Sequence, residues 1–356
     1  MTGTATAEYT PPKALRLVGS AMDAYLSIFV SGRSAPLLSK SKPVRRSGFD
    51  FPVVIDRIER VAEDVAALTL SSPSGGQLPR WRPGSHVDVL LPSGAQRQYS
   101  LCGNPGDPFR YRIAVRRLPG GIASAEIHRD LEPGDRLSLR GPRNAFEYVA
   151  APSYLFIGGG IGITPILPMV RAAALSGARW RLIYLGRSRA SMPFIDELVA
   201  MNPDAVAVRP DDEYGTPDIA QLLDSAEPGA AVYVCGPTPV LDAANRHAFA
   251  ANPTGSLHSE RFSAAPVLDG REFDLTLARS GRTIRVAADE PALAAIRREV
   301  PAAVYSCQQG FCGTCKIAVL SGEVDHRGRA LPDAERATHM LTCVSRAAGD
   351  SLTLDL

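Results

Sequence analysis

From Phe49 to about Tyr148 apolar and polar residues alternate over short runs, the period of strands with one buried face. "FPVVIDRIERV", "VAALTLSS", "SHVDVLLP", "RQYSLCG", "FRYRIAVRRL" and "RLSLRGP" read as six strands parted by Gly/Pro-rich turns, and such a series predicts a closed antiparallel β-barrel. After "APS" the pattern changes. "YLFIGGGIGITPILPMVRAAALSG" reads as a buried strand, a glycine turn and a helix. "RWRLIYLGRS", "FIDELVAMN", "DIAQLLDSA", "AAVYVCGP" and "PVLDAANRHAFA" continue the alternation of strand and helix, which predicts an α/β domain with a parallel sheet. From Arg271, "REFDLTLARSGRTIRVAADEPALAAIRRE" gives two strands and a helix, and "SLTLDL" closes the chain with a strand.

These patterns divide the chain into an extension (1–48), a barrel (49–148), an α/β domain (149–263), a linker (264–270) and a carboxyl-terminal domain (271–356). A length of 356 residues agrees with several cores rather than one. In the extension Leu15, Val18, Met22, Tyr25 and Phe29 fall three and four apart, on one face of a helix. That face packs on its own protein or meets a partner or membrane surface.

Composition narrows the function. The chain is 45% hydrophobic and 21% charged with a net charge of +2, without the concentrated basic excess of a nucleic-acid binder. The longest apolar stretch, 14–30, is interrupted by Arg16, Ser20 and Asp23 and is too polar for a transmembrane span. It also lacks a signal-peptide cleavage pattern, and the expected address is cytoplasmic.

Six cysteines are present, and three crowd into "YSCQQGFCGTCKIAV" (305–319). Cys307, Cys312 and Cys315 make C-x4-C-x2-C, and Cys343 follows after 27 intervening residues. This is the plant-type spacing for a 2Fe–2S cluster; a structural zinc site more often uses two close pairs, and only one exists here. Gly310 and Gly313 let the loop wrap closely. Cys102 reads as a small packed residue.

The run "CGTCKIAVLSGEVDHRGRALPD…MLTCVSR" resembles the carboxyl-terminal ferredoxin module of aromatic-ring oxygenase reductases, a β-grasp α+β fold. "RQYSL" (97–101) resembles the R-x-Y-S pattern of the ferredoxin reductase-like flavoproteins. That resemblance implies Arg97 on the flavin phosphate, Tyr99 on the isoalloxazine plane and Ser100 near N5. It extends flavin contacts to Gln98, Ala114, Val115 and Arg116. Independently, Gly120, Gly121 and Ser124 precede a helix start whose amides and hydroxyl suit a phosphate, the alternative being a hairpin turn before a structural helix. "GPRNAFEY" (141–148) resembles the phthalate dioxygenase reductase and vanillate demethylase reductase group, which implies FMN rather than FAD.

"GGGIGIT" (158–164) has Ile163 where a dinucleotide fingerprint starting at Gly158 needs glycine. It resembles instead the G-G-x-G-x-T-P turn of ferredoxin reductases, which implies nicotinamide contacts from Gly159, Gly160, Gly162 and Thr164. "VCGPTPVL" (234–241) resembles the family's nicotinamide pocket, with Cys235 near C4 and Gly236 and Pro237 shaping it; the alternative is that Cys235 simply packs at a strand end. "HSERF" (258–262) resembles the segment that sets Glu260 and Phe262 beside the flavin. Arg187 and Arg189 follow the second strand of the α/β domain, at the ribose; the family leans to NADH, and the arginines would suit NADPH.

Together these resemblances imply an NAD(P)H-dependent oxidoreductase of the phthalate dioxygenase reductase-like family. Hydride goes to the flavin, then electrons pass singly through a 2Fe–2S cluster at about −400 mV to a separate oxygenase. The acceptor is a Rieske non-haem iron enzyme or demethylase, with a haem-thiolate monooxygenase as the alternative. A stand-alone reductase of small acceptors and a flavin and cluster redox sensor are the other readings. The extension departs from the family pattern.

Overall fold

The computed structural model describes residues 50–356 except 265, 302 and 329, so the predicted amino-terminal helix lies outside the described residues. The first sheet has six antiparallel strands: β1 (Asp50–Ala62), β2 (Val65–Ser71), β3 (Ser85–Leu90), β4 (Gln96–Ser100), β5 (Arg110–Arg116) and β6 (Arg136–Asn144). Their order is β4-β3-β6-β1-β2-β5. Val53, Ile55, Leu68, Val87, Val89, Ile113 and Leu139 point inward and form the barrel core. The edges β4 and β5 share no ladder. They meet instead at the seam, where the Cys102 amide donates to the Arg112 carbonyl at 2.8 Å and the Arg112 guanidinium donates to the Cys102 carbonyl at 2.8 Å. Helix α1 (Ile122–Arg129) lies between β5 and β6 in the chain.

The second sheet is wholly parallel: β7 (Ser153–Gly159), β8 (Arg179–Gly186), β9 (Val206–Pro210), β10 (Ala231–Cys235) and β11 (Ser256–Glu260), in the order β11-β10-β7-β8-β9. Helix α2 (Ile163–Ser176) follows the glycine turn after β7, and α3 (Thr238–Ala251) follows β10. The edge strands β9 and β11 are additions to the sequence reading. Both are only partly buried along their length, so neither carries the continuous apolar run that marks β7 and β10.

Barrel and parallel sheet share a core. Val65, Ala67 and Ala114 pack with Ile163, Ile166, Met169 and Tyr184 in one apolar cluster. Polar contacts reinforce the joint: Glu197 accepts from Arg112 at 3.0 Å and from Arg171, and Arg116 donates to the Ser191 carbonyl at 2.7 Å.

The third sheet is mixed: β12 (Phe273–Leu277), β13 (Arg282–Val286), β14 (Lys316–Ser321), β16 (His339–Leu341) and β18 (Ser351–Leu354), in the order β13-β12-β18-β14-β16. The short pair β15 (Val324–Asp325) and β17 (Arg346–Ala347) stands apart, and α4 (Ala292–Glu299) covers the sheet. The sole parallel pairing in the five-stranded sheet is β12 with β18, which joins the two ends of the domain. Arg346 is fully buried because its guanidinium donates to the carbonyls of Arg271 and Ala287 at 2.7 and 2.8 Å.

Candidate functional site

The glycine turn and the "CGP" turn meet at the carboxyl ends of β7 and β10. The crossovers from these adjacent parallel strands lead to opposite sides there, which is where open α/β sheets bind ligands. The approach is close enough to exclude side chains. A Cβ on Gly159 would stand 2.6 Å from Pro237 Cδ, and one on Gly162 would stand 2.3 Å from the Cys235 carbonyl oxygen. Gly160 takes φ +54° and faces the Arg116 guanidinium. A cleft of about 730 Å³ opens here, lined by Arg116, Gly159–Gly162, Arg187, Gly236, Pro237 and Phe262 among others.

Several expected residues meet at this cleft and others do not. Gly159, Gly160, Gly162, Gly236, Pro237, Arg187, Arg116 and Phe262 line it. Arg189 does not; its guanidinium forks onto Glu213 at 2.7 and 2.9 Å. Thr164 is buried and its hydroxyl donates to the Ile161 carbonyl at 2.9 Å, serving the turn itself. Cys235 is fully buried, and burial holds its thiol well above the ordinary range. Beside it Glu260 has a carboxyl pushed up to about 8 by burial, with Oε2 out of solvent contact and unpartnered.

The R-x-Y-S strand β4 and the A-V-R end of β5 form the two sides of the barrel seam. Arg97 and Tyr99 are partly buried and Ser100 is buried. Burial lowers the Arg97 guanidinium and raises the Tyr99 phenol from their ordinary values. Ala114 and Val115 are buried in the barrel and joint cores, and the Val115 carbonyl bonds His128 Nε2 at 2.9 Å. Ser124 accepts from the Leu118 amide and donates to the Gly121 carbonyl, both at 3.1 Å, so its hydroxyl closes its own loop. Gln98 Nε2 and Arg116 Nε are buried without partners, as is Glu260 Oε2. Orphan polar atoms on β4, β5 and β11 fit a flat, polar-edged group such as a flavin and nicotinamide pair, because buried polar atoms require partners.

The four cysteines of the carboxyl-terminal domain converge. Cys307 faces Cys312 and Cys343, and Cys315 faces Cys343. Those neighbouring thiols, with the amides of Gln309 and Phe311, pull the Cys307 thiol far below its ordinary value. The Gln309 amide lies 3.3 Å from its sulfur. Gly310 and Gly313 take φ +77° and +75°, and Gln308 joins them at +54°; a Cβ on Gly310 would stand 2.7 Å from Val344, whereas the space beside Gly313 is open. Leu293, Tyr305, Leu331 and Leu341 pack around Cys315 and Cys343. Among the described residues no three His, Cys, Asp or Glu side chains converge as a single-ion site would need. An all-sulfur donor set with amides aimed at sulfur fits a 2Fe–2S group.

The cluster loop also touches the barrel, through residues the motifs did not announce. The Tyr305 ring lies against the guanidiniums of Arg97 (4.1 Å) and Arg297 (4.3 Å). Ser306 Oγ donates to Asp88 at 2.6 Å, and the rings of Phe311 and His86 are 6.0 Å apart. Gln309 donates to the Arg261 carbonyl. Strand β3 was legible from its alternation, but its polar face was not: His86 and Asp88 read as residues of a solvated face and are here 1% and 0% exposed.

A barrel with the flavin motif, a glycine-lined cleft beside it and a four-cysteine loop joined in this way define an iron–sulfur flavoprotein oxidoreductase. Residues 52–148 match an oxidoreductase FAD-binding domain and 275–348 a 2Fe-2S iron-sulfur cluster binding domain. The chain is 41% identical over 305 residues to phenoxybenzoate dioxygenase subunit beta of Ectopseudomonas oleovorans, covering 83% of this chain and 94% of that protein. A solved phthalate dioxygenase reductase matches with TM-score 0.64 and 34% identity over 86% of this chain and 98% of its own. Full-length CYP116B46 of Tepidiphilus thermophilus matches with TM-score 0.62 and 39% identity, over 86% of this chain but 42% of that longer one. The chain belongs to the phthalate dioxygenase reductase-like family, NAD(P)H-dependent reductase components that carry electrons through a flavin and a 2Fe–2S cluster to an oxygenase.

Proposed function

We propose that this reductase holds FMN at the barrel seam, takes hydride from NADH in the β7/β10 cleft, and serves a Rieske non-haem iron oxygenase or demethylase. When bound, the flavin accepts hydride as an electron pair and, with the cluster, releases the electrons one at a time, its protons passing to solvent. Arg97 receives the flavin phosphate, Tyr99 and Ser100 with Gln98 line the ring, and Glu260 and Phe262 flank it. Cys235, Gly236 and Pro237 shape the nicotinamide pocket. Cys307, Cys312, Cys315 and Cys343 hold the irons.

The observation that carries the reading is the direct contact of the cluster loop with the barrel strand that bears the flavin motif, Tyr305 on Arg97. It supports a route in which a flavin on that strand passes electrons to the cluster within one chain. The test is anaerobic rapid mixing with NADH: flavin bleaching should precede cluster reduction, and a cluster that stays oxidised defeats the reading.

The preference for FMN is supported by the depression beside Gly120 and Gly121. Its lining includes Asp64, Glu126 and Asp130 and no aromatic ring on which an adenine could stack. The mass of the flavin released on denaturation decides it. The preference for NADH is supported by Arg189, whose charge is already met by Glu213, leaving Arg187 beside Asp211 and Asp218 in the cleft. A second acceptor, a haem-thiolate monooxygenase, is supported by the likeness to a full-length P450. Comparing rates of reduction of the two acceptor types separates the readings.

A further inference from the structure

Strand β3 sends Val87 and Val89 into the barrel core, and its other face carries His86 and Asp88. That face is dry because the cluster loop covers it: Phe311 lies by His86, and Ser306 bonds Asp88. The Asp88 carboxylate divides its two oxygens between the domains. Oδ2 receives the barrel donors, Gln96 Nε2 at 2.8 Å and the Arg143 guanidinium. Oδ1 receives Ser306 Oγ at 2.6 Å, from a residue 218 positions away and next to the cluster ligand Cys307.

A buried carboxylate is costly unless each oxygen is met. The barrel meets one oxygen and leaves the other for the ferredoxin domain. Separation of the domains would strip Oδ1 of this donor, so the bond favours the docked arrangement and fixes the residue preceding Cys307. We propose that Asp88 is a positioning residue for electron transfer: through Ser306 it holds the cluster loop on the flavin barrel, and the flavin-to-cluster step depends on that bond. The inference rests on the flavin-to-cluster route proposed above. One electron leaves the reduced flavin and one ferric iron of the cluster becomes ferrous; NADH supplies the pair.

The test uses the holoprotein with Ser306→Ala and Ser306→Thr, leaving the barrel partners of Asp88 untouched. Flavin reduction by NADH and subsequent cluster reduction are followed separately by anaerobic stopped flow, alongside hydrogen–deuterium exchange of residues 303–312 and iron content. In Ser306→Ala, cluster reduction should slow about tenfold, the scale of one lost hydrogen bond to a buried charge, with faster exchange and unchanged flavin reduction and iron. Ser306→Thr, which keeps the hydroxyl, should restore both rate and protection. An unchanged rate and exchange in Ser306→Ala overturns the proposal, as does an equal loss in Ser306→Thr. A wild-type cluster that NADH cannot reduce defeats the proposed route instead.

Discussion

Cys235 and Glu260 are register partners at the carboxyl ends of the parallel strands β10 and β11, and neither favours charge. Burial raises the thiol and lifts the carboxyl to about 8, so the neutral form of each is favoured at neutral pH. The native chain then holds a proton that an unfolded glutamate, near 4.5, has released. Stability from this site is fully present below about 4.5 and is lost as pH rises through about 8. Glu260→Gln removes the dependence. Its urea midpoint should gain on wild type between about pH 5 and about pH 9; a constant difference counts against the assignment.

Replacing Cys312 by serine should leave hydride transfer to the flavin and remove onward transfer. Iron should fall from roughly two per chain, the plant-type content, and reduction of cytochrome c should drop to the level of flavin alone. Metal analysis and the two activities check this. Zinc in place of iron in the wild type would contradict the cluster.

Gly162→Ala tests the closeness of the two turns. Its Cβ would press on the Cys235 carbonyl from 2.3 Å, and overpacking of this kind costs about 1–3 kcal/mol. The expected outcome is a lower thermal midpoint and a KM for NADH raised roughly tenfold, the cost of about 1.4 kcal/mol of binding. Gly177→Ala makes a poor control, since φ +71° there strains any side chain.

Arg187 and Arg189 should separate sharply despite being two residues apart. Arg189 is exposed and paired with Glu213, where water and salt screen the pair and leave little for a ligand to gain or lose. Arg189→Ala should therefore leave KM for either nicotinamide within about twofold. Arg187→Ala removes a cleft guanidinium and should raise KM for NADPH more than for NADH. Steady-state kinetics with both donors decide, and equal effects of the two substitutions would remove Arg187 from the ribose.

Much of the site was readable because it is local. Three cysteines at plant-type spacing mark their loop within a short stretch of chain, with Cys343 further on, and alternation marked all six barrel strands. The roles of Ser124, Thr164 and Arg189 were not readable. Each has the side chain a ligand would want, yet each finds a nearer partner in the fold: Gly121, Ile161 and Glu213.

Sequence alone determined the periodicities, the ligand spacing and the turns, since these depend on neighbours a few residues apart. Only the tertiary structure decided which polar residues are dry. Asp88 and Ser306 stand far apart in the chain, and the burial of Glu260 depends on what packs around β11. Desolvation is set by what covers a group, and no pattern along the strand records the cover.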